Sequence, residues 1–135
     1  MTSRFIPAKV HTALWSDPGL HGLAPHSRLL YASLVTGGEP CAAGVAPLVP
    51  DRWAYTTGLT REQIDASLDE LIAARKIAID SDTGELLLTD FVALTGRTTY
   101  FGSNGGNQIA RALAEIISPT LRAAAGEAAA RGGLS

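Results

Sequence analysis

The sequence predicts one α+β domain, mostly α, in which three helices and a β-hairpin are followed by a helical C-terminal extension. Three observations carry this. Thr60 and Gln63 form a capping box at the head of an amphipathic run. Two β-prone runs, IAID at 77–80 and ELLLTD at 85–90, follow it across a polar turn. Segments of helical periodicity then fill the remainder of the chain. At 135 residues the chain suits one core. Its 46% hydrophobic and 18% charged residues exclude a disordered tail, a collagen or a coiled coil.

Residues 4–15 read as an extended arm closed by the turn signal SDPG at 16–19. The first helix starts at Pro25, carries Leu30 and Leu34 on its apolar face, and stops at Thr36-Gly-Gly38. GVAPL at 44–48 supports a minor strand, and residues 50–57 a second helix ending at Gly58. The third helix runs from Thr60 to about Lys76, with Leu59 stapled onto Ile64 and with Ile64, Leu68, Leu71 and Ile72 facing the core. The hairpin turns at 81–84, where Gly84 can adopt the left-handed conformation. Residues 1–95 are thus one domain. Residues 96–135 form an extension with a flexible joint at 102–106, a helix over 107–117 and a further helix capped by Ser118 and Pro119.

Eleven Lys and Arg against thirteen Asp and Glu give net −2, so the bulk charge of a strong nucleic-acid binder is missing. Cys41 is the only cysteine, which excludes an intrachain disulfide and multi-cysteine metal sites and fits a reducing cytoplasm. No signal-peptide core or membrane-length apolar run occurs, so a soluble protein with no membrane contact is expected. The 80–85 loop lacks the glycine and glutamate of a calcium loop, and His11, His21 and His26 have no partners at ligand spacing. No metal and no cofactor is expected. The GSNGG segment at 102–106 lacks the Gly-Lys-Ser/Thr of a phosphate loop, and Cys41 has no base at nucleophile spacing, so nothing supports an enzyme. Trp15, Trp53, Tyr31 and Tyr55 are read as packing residues.

Helix, short strand, helix, tight turn, capped helix and hairpin is the element order of a winged helix-turn-helix. The segment WAYTTGLTREQIDASLDELIAARKI at 53–77 resembles winged-helix modules of bacterial regulators and phage replication proteins. The segments HTALWSDP (11–18), LAP (23–25), SRLLY (27–31), GVAPL (44–48) and TGELLLTDF (83–91) extend the likeness. Over residues 4–120 the chain resembles the small winged-helix proteins of actinobacterial phages and prophages, similar to the N-terminal domains of phage replisome organisers. Ala24 departs from the pattern where a capping Ser or Thr is expected. The resemblance implies a double-stranded-DNA-binding protein acting in transcription regulation or replication initiation.

The charges oppose a deep groove contact. Residues 39–95 hold four basic against ten acidic residues, net −6. The outward face of the third helix carries Glu62, Gln63, Asp69 and Glu70, and the wing adds Asp80, Asp82 and Glu85, with Asp90 nearby. DNA contacts are therefore assigned to Arg52, Thr60, Arg61, Gln63 and Ser67, supported by Arg28 and by Arg4 and Lys9 of the arm. The alternative is a protein-interaction winged helix, a host-directed adaptor or replisome assembly factor, that docks a partner through Glu62, Asp69 and Glu70. Ile109, Leu113, Ile116 and Ile117 line one face of the extension, which either mediates a homodimer or covers its own domain.

Overall fold

A computed structural model describes residues 13–37, 40–95 and 102–131. In chain order the elements are α1 (Ala13–Ser16), α2 (Pro18–His21), α3 (Pro25–Thr36), β1 (Val45–Pro47), α4 (Pro50–Thr57), α5 (Arg61–Ala73), β2 (Ile77–Asp80), β3 (Glu85–Leu88), α6 (Phe91–Thr95), α7 (Gly102–Glu115) and α8 (Pro119–Arg131). The architecture is α+β and mostly helical, with one antiparallel sheet in the order β1-β3-β2. The register sets Val45 opposite Leu87, and Ile77 opposite Leu88.

Alternation along β3 explains the layering, because successive side chains point to opposite faces. Leu86 and Leu88 join Ile77 in a core with Leu30, Tyr31, Leu34, Trp53, Ile64, Leu68 and Leu71 of α3, α4 and α5. Leu87 and Val45 face the other way and pack on Ala112, Ile116, Leu121 and Ala125 of α7, α8 and the turn between them. Both faces of the sheet are therefore covered. Each large aliphatic side chain buried this way contributes about 1.5–3 kcal/mol, so the extension is an integral layer of the domain.

This corrects several expectations. Residues 13–16 are helical, while residues 4–12 of the expected arm lie outside the described residues. The joint expected at 102–106 is the first turn of α7, since its helical backbone continues unbroken into the packed segment. Within the extension's apolar face, Ile109 and Ile116 are sealed inside this chain, Leu113 is half-buried, and only Ile117 is exposed, at 67%. That face covers its own domain and is not free to form a dimer. On α5 the core stripe is narrower than expected, because Ile72 lies at its edge and is 43% exposed. Trp53 and Tyr31 are core residues, but Trp15 is 71% and Tyr55 90% exposed. Tyr55 lies two residues from the buried Trp53, about 200° around the helix, and so points to solvent.

Caps supplied across the fold hold the layers in register. Ala24 has no side chain to cap α3, and the Glu70 carboxylate of α5 accepts its amide hydrogen at 2.9 Å. At the head of α8, Ser118 accepts from Leu121 at 3.1 Å, and Glu85 of β3 accepts from the amides of Ile117 at 3.0 Å and Ser118 at 2.7 Å. Lys76 lies half-buried between Asp17, with which it pairs, and Asp90 at 3.2 Å, locking α2 to the hairpin. Gly44 is required at its position: its φ is +89°, and a Cβ there would lie 2.7 Å from Phe91 Cβ and 2.9 Å from the Leu88 carbonyl.

Candidate nucleic-acid interface

The turn between α4 and α5 is built from local signals. Gly58 takes a left-handed conformation (φ +79°), open to it because it has no Cβ, and its amide donates back to the Ala54 carbonyl. The Thr57 hydroxyl donates to the Trp53 carbonyl at 2.7 Å and accepts from the Leu59 amide at 3.2 Å. The capping box then forms in full. Thr60 Oγ1 accepts from the Gln63 amide at 3.1 Å, and Gln63 Oε1 accepts from the Thr60 amide at 2.9 Å. Gln63 therefore has its side-chain carbonyl occupied, although its residue is exposed.

Arg61 projects beside this cap and is held twice, by Asp51 at 2.6 Å and by Asp65 at 3.0 Å. Hydrogen bonds to Asp65 and Asp51 raise its already high pKa further. Arg52 and Tyr55 are both exposed on α4, and their spacing of three residues puts them on one side of that helix. The outward face of α5 carries Glu62, Asp65 and Asp69, and Arg61 at its edge pairs with Asp65.

Two residues assigned to contacts are unavailable. Ser67 is wholly buried: its hydroxyl donates to the Gln63 carbonyl at 2.7 Å and lies 2.7 Å from His26 Nδ1. With its proton committed to that carbonyl, the hydroxyl can only accept from the imidazole, so Nδ1 carries the hydrogen and the serine is not set up as a nucleophile. Glu70, expected on the outward face, turns instead to the first turn of α3. The Ser27 hydroxyl, which makes no hydrogen bond of ordinary geometry, still faces Glu70 closely enough to join the Ala24 amide in holding its carboxyl below the usual range.

The β2–β3 hairpin is less acidic than its sequence. Glu85 is only 9% exposed. Burial would push its pKa up, but the Thr83 hydroxyl and the Ile117 and Ser118 amides outweigh burial and leave it lowered. The Ser118 hydroxyl and the Thr83 and Asp82 amides hold Asp80 below the usual carboxylate range. Asp90 pairs with Lys76, whose ammonium burial would push down but which its two carboxylate partners raise. At the turn itself Asp82 remains exposed. Arg28 lies apart from these residues on the exposed side of α3, and Arg4 and Lys9 lie outside the described residues.

Among the described residues no three His, Cys, Asp or Glu side chains converge as a metal site would need, and no helix is long and apolar enough to cross a membrane. No protein family, curated protein or solved structure matches the chain.

Proposed function

We propose that residues 25–88 form a winged helix of the phage replication or regulation type, and that it holds double-stranded DNA through the α4–α5 turn. The observation that supports this most is the arrangement α3-β1-α4-α5-β2-β3 with β3 central in the sheet, which leaves the turn, the head of α5 and the wing at the surface. Arg52 and Arg61 supply the positive charge there. The ion pairs of Arg61 are exposed and weak, so a phosphate can displace Asp51 or Asp65. The carboxylates further along α5 repel a phosphate backbone and confine contact to the first turn, where the helix dipole also favours an anion. Few phosphates are neutralised, and binding should fall only shallowly with salt.

Retention of a random duplex pool at low salt tests the reading. Arg52→Ala with Arg61→Ala should abolish retention, whereas Glu62→Gln should strengthen it. If the unaltered protein retains no duplex at low salt, the reading fails. A second reading then takes its place, favoured by the clustering of Glu62, Asp65 and Asp69 on one exposed face: docking of a protein partner with a basic surface.

A further inference from the structure

We infer that the nucleic acid this chain holds is a duplex ending in an unpaired strand, and that the first unpaired base stacks on Tyr55. The inference rests on the reading of the α4–α5 turn as a duplex-binding site and names the kind of DNA that the site takes. Tyr55 is 90% exposed, so its ring is open to solvent and contributes nothing to the core. Ala, Lys, Glu or Arg would serve an exposed helical position better. An aromatic ring standing free at the surface is what any nucleobase can stack on, whatever its identity.

The surroundings of that ring suit a single strand. Asp51 and Arg52 precede Tyr55 by four and three residues, so both lie one turn from it on the same side of α4. Arg61 of α5 reaches Asp51 at 2.6 Å, which brings a second guanidinium beside that face. Beyond Tyr55 the chain leaves the helix at Gly58, and nothing lies within 4 Å of the position a Cβ would take there. Two arginines next to a free ring, with bare backbone after it, fit one sugar–phosphate strand: the arginines meet phosphates and the ring meets a base. The carboxylates of α5 argue the same way. A helix inserted in a duplex groove has a phosphate backbone on each side, and the exposed Glu62 and Asp69 repel both. A lone strand carries half the charge per unit length for those carboxylates to repel, and its bases are not already stacked and paired within a duplex.

Fluorescence anisotropy at low salt tests the inference with three labelled DNAs: a blunt duplex, the same duplex with a tail of unpaired thymidines on its 5′ or 3′ end in turn, and the tail alone. One of the tailed duplexes should bind on the order of tenfold more tightly than either the blunt duplex or the tail. An abasic nucleotide in the first tail position, which keeps the phosphates, should remove that advantage. Tyr55→Ala, at an exposed position and checked for folding by circular dichroism, should remove it too, whereas Tyr55→Phe should keep it. In Y55A the abasic nucleotide should have no further effect. Equal binding of blunt and tailed duplexes overturns the inference and leaves the duplex reading standing. So does an advantage that survives the abasic nucleotide or Tyr55→Ala, since the tail then contributes only charge, or one that Tyr55→Phe abolishes, since stacking needs no hydroxyl. A blunt duplex left unbound, with the tailed duplexes held no more tightly than the tail alone, overturns both the inference and the reading beneath it.

Discussion

Replacing Glu85 by glutamine probes the joint between the sheet and the C-terminal helices. The carboxylate receives two amide hydrogens, from Ile117 and Ser118, that the start of α8 would otherwise leave unpaired. Glutamine keeps one carbonyl acceptor and turns an NH₂ donor toward the other amide, so one of the two bonds is lost. A hydrogen bond to a charged group is worth about 1.5–3 kcal/mol. Glu85 sits just beneath the surface, where solvent screening favours the lower end, and the expected loss is about 1.5–2 kcal/mol. For a domain of this size that lowers Tm by about 5–7 °C. The pH dependence supplies a second constraint. The carboxyl is held below its usual range, so its contribution is complete above the unfolded value, about 4.3. It disappears as pH falls through the lower folded value. Urea denaturation of both proteins at neutral pH and again in acid measures this. The gap should be full at neutral pH and narrow in acid. Equal midpoints at neutral pH, or a gap that persists once the carboxyl is protonated, would refute the account of Glu85 as an anionic cap.

Other perturbations test the remaining joints. Thr60→Ala removes the acceptor for the Gln63 amide and should destabilise the domain by about 1 kcal/mol in urea denaturation. Arg75 ends α5 with φ +61°, while its amide reaches Ile72 and that of Lys76 reaches Leu71. Arg75→Gly removes the left-handed penalty and should raise stability by about 1 kcal/mol, seen as a higher Tm. Glu70→Gln removes a negative charge from α5 but weakens the cap on α3; faster amide exchange in the first turn of α3 should report it, and unchanged exchange there would contradict the cap.

How much of this was legible in the sequence depended on how far apart the partners lie. The capping box, the Gly58 turn and the hairpin at 81–84 each rest on groups within a few residues of one another, and the structure contains all three. Glu70 and Ala24 are 46 residues apart, and Glu85 and Ser118 are 33 apart. No local periodicity announces either pair. One signal was present: ELLL at 85–88 does not alternate, as a strand buried on both faces need not, and this points to a second layer over the sheet. The position of Tyr55 could also have been found, since a helix that buries Trp53 turns the residue two places on toward solvent.

The same distinction resolves part of the conflict between fold and charge. A sum over sequence treats every carboxylate in residues 39–95 as a surface charge. Glu70 and Glu85 instead cap helices, Asp80 closes the hairpin turn, and Asp90 pairs with Lys76. Their negative charge is largely met by amides, hydroxyls and one ammonium, so the hairpin repels an anion less than its composition implies. Glu62, Asp65 and Asp69 have no such inward role and lie exposed along α5. Asp65, like Asp51 of α4, is met by Arg61, so the remaining repulsion on that helix face comes from Glu62 and Asp69. A phosphate that displaces Asp51 or Asp65 from Arg61 lies beside Glu62, the next residue, so neutralising Glu62 should strengthen DNA binding more than neutralising Asp82 at the hairpin turn. Equal effects of Glu62→Gln and Asp82→Asn in the same low-salt retention assay would place the contact elsewhere.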